Sequence, residues 1–184
     1  MAHMRQASTS APFFRQVAYT PPAWAAHLKP PAHGRVLLAN LPTPVMPWAC
    51  GALEDLGVQW FIKRDDFTGL ELSGNKVRKL EFLLSEAIST GHDCVVTVGN
   101  LQSNHCRATA AAARMLGLEP HLVLVVSNSQ LEEDLGMEGN LLIDRMLGAT
   151  LHVCAASDYY RYGGDLEAID KLNLEVAEQL RSEG

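Results

Sequence analysis

The chain has 184 residues, 47% hydrophobic and 20% charged, a balance that excludes wholesale disorder and fits one ordinary domain or a domain with an arm. Its formal charge of −6 is uneven: residues 1–53 hold Arg5, Arg15, Lys29 and Arg35 but no acid, so the remainder is strongly acidic and offers nucleic acid no basic stripe. There is no apolar run of the roughly 18 residues that a membrane-spanning helix needs, and Cys50, Cys94, Cys106 and Cys154 lack metal-finger spacing and read as reduced thiols of a cytosolic or organellar compartment.

Residues 1–12, with Arg5, Ser8, Thr9 and Ser10, have the composition of an organellar transit segment, mitochondrial or plastid, or of an unstructured start. The proline pairs Pro21-Pro22 and Pro30-Pro31 preclude a continuous helix or central strand up to about residue 35, leaving room for one helical turn between Trp24 and Leu28. Leu41 to Val45 is extended or turn, because each residue before a proline is pushed out of the α region. Val58 to Lys63 reads as a strand. From residue 73 a strand–helix alternation sets in: helix over 76–90 stopped by Gly91, strand 94–98, alanine-rich helix 103–116 closed by Gly117, strand 121–126, helix 140–147 ending at Gly148, strand 150–154, and a last amphipathic helix over 165–181. Short apolar strands alternating with helices predict an α/β fold, an open, mostly parallel twisted sheet with helices on both faces.

In such a sheet ligands gather at the carboxyl ends of strands, beside helix N-termini. That rule selects Gly99 to His105, where Ser103 or Asn104 can cap the following helix and unpaired N–H groups favour an anion. A plain capped turn is the other reading. The segment is neither a P-loop nor a dinucleotide fingerprint. The second candidate is Ser73-Gly74-Asn75-Lys76. Lys76 falls in the first turn of a helix, against the dipole, either snorkelling to solvent beside Arg78 and Lys79 or serving as an amine for attack on a carbonyl.

Together the two segments are specific. Residues 70–83, around Ser73-Gly74-Asn75-Lys76, resemble the lysine motif of the D-cysteine desulfhydrase and 1-aminocyclopropane-1-carboxylate deaminase family. Residues 102–109, around Ser103-Asn104-His105, resemble its serine–asparagine loop. Tyr19 to Trp24, Leu41 to Pro44, Ile62 to Asp66, Gly139 to Leu142 and Gly148-Ala149 continue the likeness in order, from about residue 13 to the end.

The resemblance implies a pyridoxal 5'-phosphate enzyme of tryptophan-synthase-β-like fold, homodimeric, that acts on a small amino acid. It assigns Lys76 as the Schiff-base lysine and catalytic base, Asn104 to the cofactor ring hydroxyl, and Ser103, Asn104 and His105 to the substrate carboxylate, with Ser103 also assisting proton transfer. Lys79 is the rival amine, one turn along. The Tyr19–Trp24 arm and the approach through Glu71–Ser73 look more like desulfhydrases, which convert D-cysteine to pyruvate, ammonia and hydrogen sulfide; the deaminase is the alternative.

Two departures stand out. Asn100 and Leu101 replace the family's usual glycine and valine. The family's chains also run further, into a strand and a glycine-rich phosphate loop, so this chain reads as an N-terminal fragment. The implied division is 13–72 for part of the large domain, 73–160 for a small α/β domain and 161–184 for a returning helix. An inactive fragment or a non-catalytic interaction module is the rival class.

Other residues suggest structural duties. Asp65 and Asp66 are expected to pair with Arg64 or Arg78 rather than to bind a metal. His121 and His152 read as lone strand histidines, and Met115, Met137 and Met146 as core gap-fillers. The acids at 132, 133, 134 and 138 read as a solvated loop or helix start, not a binding site.

Overall fold

A computed structural model of the chain describes residues 14–49, 51, 56–131 and 134–183. The expectation for residues 1–12 and the reading of Cys50 lie outside the described residues, and so do the acids at 132 and 133.

Two short antiparallel ribbons open the chain. β1 (Gln16–Val17) pairs with β2 (Arg35–Val36), and β3 (Val45–Pro47) pairs with β4 (Phe61–Lys63). Between β1 and β2 the one helical turn forms as a 3₁₀ turn at Ala23–Ala25. β4 is shorter than the strand expected over 58–63. The ladder closes with one bond, Trp48 N to Trp60 O at 2.9 Å, and Pro47, opposite Phe61, falls at a non-hydrogen-bonded pair, where its missing N–H costs the ladder nothing.

The remaining chain builds a three-stranded parallel sheet in the order β5 (Cys94–Asn100), β6 (Glu119–Val126), β7 (Thr150–Ala155). Its helices are α1 (Lys76–Ser89), α2 (Asn104–Met115), α3 (Gly139–Met146), α4 (Ala156–Arg161) and α5 (Leu166–Glu183). β6 is central, and side chains alternate across it. Leu122 and Leu124 join Cys106 and Ala110 of α2, while Val123 lines a cleft with Leu172 and Val176 of α5. The sheet is thus covered on both faces, as its apolar strands require.

Packing explains the alanines. Ala108 and Ala110 to Ala113 are at most 1% exposed, which lets α2 approach α1, α3 and the sheet together. Val77, Leu80 and Leu84, spaced for one face of α1, enter the same core as Ala108, Leu118 and Val36 of β2. Each such burial contributes roughly 1.5–3 kcal/mol. This cluster crosses the domain boundary drawn at 72/73, joining the N-terminal ribbon to α1. Glu81, 1% exposed, fastens the same junction by accepting from Leu38 N at 2.9 Å and Ala39 N at 3.0 Å.

Three expectations need correction. His121 and His152 are not alone: the β6–β7 register sets them diagonally, with Nδ1 and Nε2 3.1 Å apart. Met137 and Met146 are 62% and 77% exposed, the first in the loop before α3 and the second on the face of α3 turned away from the sheet; of the three, Met115 packs on the core. α4 was not foreseen, being six residues that follow β7 directly. The acid pairing holds, with Arg78 on Asp65 and Arg64 on Asp66.

Candidate active site

Lys76 begins α1, preceded by a loop knotted by buried groups. Thr68, fully buried, donates or shares its hydroxyl with the carbonyls of Asp65 (2.8 Å), Leu72 (3.0 Å) and Gly74 (3.0 Å). Gly74 N donates to Asp65 O at 2.7 Å. The Asp65 carboxylate accepts from Arg78 and from Thr43 Oγ1 at 2.8 Å, and these bonds hold its pKa down at about 2. The loop that delivers Lys76 is therefore anchored at both ends.

The second segment forms as expected at the carboxyl end of β5. Ser103 is the N-cap of α2, its Oγ accepting from Cys106 N at 3.2 Å. The N–H groups of Asn104 and His105, in the first turn, precede the helical ladder and have no partner within it. Gly99 is required here: a Cβ on it would lie 2.5 Å from Cys106 Sγ and 2.6 Å from Ser103 Oγ. The same burial pushes the Cys106 thiol up to about 11, which leaves it inert.

A bridge of side chains joins the two segments. Arg107 Nη2 donates to Ser73 O at 3.0 Å and Ser73 Oγ at 3.2 Å, and Nη1 to Asn140 Oδ1 at 3.2 Å. Asn140 Nδ2 donates in turn to Asn104 Oδ1 at 3.0 Å and Gln102 O at 2.8 Å, and Asn140 N donates to Gln102 Oε1 at 2.8 Å. Gly139 makes this approach possible, since it has φ +56° and a Cβ there would sit 2.2 Å from Gln102 Oε1. Asp66, Ser73, Gly74, Asn75, Lys76, Asn104 and Arg107 enclose a cleft of about 420 Å³.

The structure thus brings Lys76 and Asn104 to one cleft, with Ser103 adjoining at the helix cap. His105 differs. Its ring turns inward, Nε2 lying 3.0 Å from Thr97 Oγ1, and burial first, then the charges of Lys79 and Lys76, bring its pKa down to about 4. His105 is absent from the lining of the Lys76 cleft, and its imidazole faces a separate cleft with Thr97 and Thr109. Lys79, the rival amine, is absent from the cleft lining; burial and the neighbouring Lys76 charge lower its pKa. Sequence reasoning missed Thr68, Arg107 and Asn140. The last two lie inside quoted motifs, so a question about each motif position would have found them.

The cleft fits an aldehyde cofactor with an anionic partner. It presents a primary amine, a carboxamide whose Nδ2 meets no protein acceptor among the described residues, and helix N–H donors, within the volume range of small-molecule sites. Among the described residues no cluster of three or more metal-ligating side chains occurs, and no helix is long and apolar enough to cross a membrane.

Comparison with known proteins agrees. The bifunctional D-cysteine desulfhydrase/1-aminocyclopropane-1-carboxylate deaminase, mitochondrial, of Arabidopsis thaliana is 44% identical over 188 residues, covering 100% of this chain and 45% of the relative. A D-cysteine desulfhydrase of Serratia proteamaculans is 45% identical over 103 residues, 55% of this chain and 31% of that one. The crystal structure of an ACC deaminase homologue superposes with a TM-score of 0.66 at 39% identity, over 82% of this chain and 42% of that one. The chain therefore spans under half the length of these relatives. Residues 36–183 match the family described as pyridoxal-phosphate dependent enzyme, and the chain belongs to that family.

Proposed function

We propose that the chain carries the lysine and the carboxylate-receiving loop of a lyase that acts on D-cysteine, yielding pyruvate, ammonia and hydrogen sulfide. The observation that carries this reading is that Lys76 and the N-terminal turn of α2 open onto one cleft. When bound, pyridoxal phosphate supplies an electron sink for the carbanion left by α-proton loss.

The chain's own residues do the rest. Lys76 Nζ would hold the cofactor aldehyde and, once the substrate amine has displaced it from the aldehyde carbon, is the free amine that takes the substrate α-proton. Asn104 would hold the cofactor ring hydroxyl through its free Nδ2, because its Oδ1 is held by Asn140. The N–H groups of Asn104 and His105 receive the substrate carboxylate, favoured by the helix dipole. Ser103 keeps that turn in place through its cap and lends its hydroxyl to the proton path. The acid-free N-terminal segment and the mitochondrial relative support a mitochondrial location.

Deamination of 1-aminocyclopropane-1-carboxylate is the second reading, favoured by the name of a relative from Pyrococcus abyssi, 40% identical over 82% of this chain. Treating the chain with pyridoxal phosphate and borohydride, then mapping the label by mass spectrometry, tests the site. Label on Lys76 is expected; label on Lys79 with Lys76 unmodified overturns the assignment. In the enzyme that contains this chain, sulfide release from D-cysteine should exceed ammonia release from 1-aminocyclopropane-1-carboxylate, and the reverse selects the second reading.

A further inference from the structure

At the contact of α2 with α3, buried polar atoms are left without hydrogen-bond partners: Arg107 Nε on one helix and both carboxylate oxygens of Asp144 on the other. Asp144 is 0% exposed, and none of the roles above uses it. An isolated buried carboxylate is strongly unfavourable, and so is an orphaned guanidinium N–H. Here the two orphans are complementary, an acceptor and a donor of opposite charge. Asp144 follows Asn140 by one turn of α3, so both side chains share the face that meets Arg107. The terminal nitrogens of Arg107 are committed to Ser73 and Asn140, which leaves Nε for Asp144.

We infer that Asp144 is the counter-charge that fixes Arg107 as a brace between the Lys76 loop and the N-terminus of α2, reached from Nε through one buried water, making Asp144 a positioning residue for Lys76. Burial raises the Asp144 carboxyl to about 6 while Arg107 pulls it back, so it is charged at neutral pH. Its charge also reaches the Cys106 thiol, the neighbouring titratable group on α2. Removing the carboxylate leaves Arg107 free to leave Ser73, and the segment before Lys76 loses the tether that points it into the cleft. The link to Lys76 chemistry rests on the function proposed above; the brace does not.

The test compares Asp144→Asn, Asp144→Leu, Arg107→Leu and the Asp144→Leu/Arg107→Leu double variant of the full chain. Three quantities are read: melting temperature, amide hydrogen exchange over residues 70–77, and the share of borohydride-fixed pyridoxyl label on Lys76 against Lys79. Asp144→Asn should speed exchange over 70–77 roughly tenfold relative to α2 and move label from Lys76 towards Lys79. Asp144→Leu strands the Arg107 charge and should lower the melting temperature most. The double variant, with both charges gone, should recover most of that loss. Its exchange and labelling should nevertheless stay those of Arg107→Leu, which a purely structural role would not produce. Unchanged exchange over 70–77 in Asp144→Asn, or additive melting shifts in the double variant, overturns the inference. Parent chain that takes no label on Lys76 overturns the function proposed above, and the exchange and melting data then decide the brace alone.

Discussion

Arg78 holds Asp65 through two bonds, Nε to Oδ2 at 2.9 Å and Nη2 to Oδ1 at 2.7 Å. The pair clamps the loop entering α1 to the helix itself, so the position of Lys76 depends on a contact two residues further along. Because the folded carboxyl titrates at about 2 rather than 3.8, the unfolded chain takes up the proton first on acidification. The stability Asp65 contributes is complete above about pH 4 and is lost towards pH 2. Asp65→Asn is expected to cost about 1–2 kcal/mol near neutrality, reduced by the partial exposure of the pair, and to remove that acid-sensitive step. Urea melts at pH 7 and pH 3 measure both, and a variant as stable as the parent at pH 7 counts against the clamp.

Ser103→Ala removes the cap of α2. A loss of about 1 kcal/mol is expected, with Ser103→Asp largely retaining the parent value because a carboxylate caps as well. If the alanine variant melts with the parent, the Ser103 contact to Cys106 N is not holding the turn.

Gly99→Ala should cost about 1–3 kcal/mol, since the new methyl meets Cys106 Sγ and Ser103 Oγ well inside contact distance. Adding Cys106→Ala opens one of the two obstacles and should restore part of the loss. Calorimetry that shows no recovery would place the clash elsewhere.

Much of this arrangement was open to reading before any coordinates. Apolar spacing with Gly91, Gly117 and Gly148 at the stops marks α1, α2 and α3, because a helical face and a glycine terminator are local properties. That Asp65 and Asp66 pair with Arg64 and Arg78 was also legible, Arg64 adjoining them in sequence and Arg78 lying in the neighbouring lysine segment. The His121–His152 contact was not, because it depends on how β6 registers with β7, and strand alternation alone says nothing of a neighbour. Arg107 reaching Ser73, 34 residues away, is the same kind of long-range fact. The inward turn of His105 was hidden too, since a helix N-terminus offers donors from its backbone whichever way the ring faces. Met146 carries an apolar side chain at a helical position, and only the angle at which α3 docks decides that it meets water.

The response to pH between 4 and 6.5 should combine two opposed contributions. His105 titrates at about 4 when folded and 6.5 when unfolded, so the stability it contributes is complete above pH 6.5 and is lost as pH falls towards 4. Asp144 titrates at about 6 when folded against 3.8, so the folded chain holds the proton longer, and stability is lost as pH rises through that window. His105→Gln should therefore flatten the acid loss, whereas Asp144→Asn should steepen the rise of melting temperature with pH. Calorimetry from pH 4 to 7 reads the slopes, and variants with parental slopes refute the assignment.

All three tryptophans, Trp24, Trp48 and Trp60, sit in the N-terminal ribbons, 78%, 56% and 48% exposed, and the parallel sheet and its helices have none. Ultraviolet emission excited at the indole edge therefore reports on that arm alone, while the tyrosines Tyr159, Tyr160 and Tyr162 belong to the α4 end. Anything that comes to cover the β3–β4 ribbon will shift this emission to the blue. A spectrometer can thus follow the arm separately from the Lys76 cleft, with no label added.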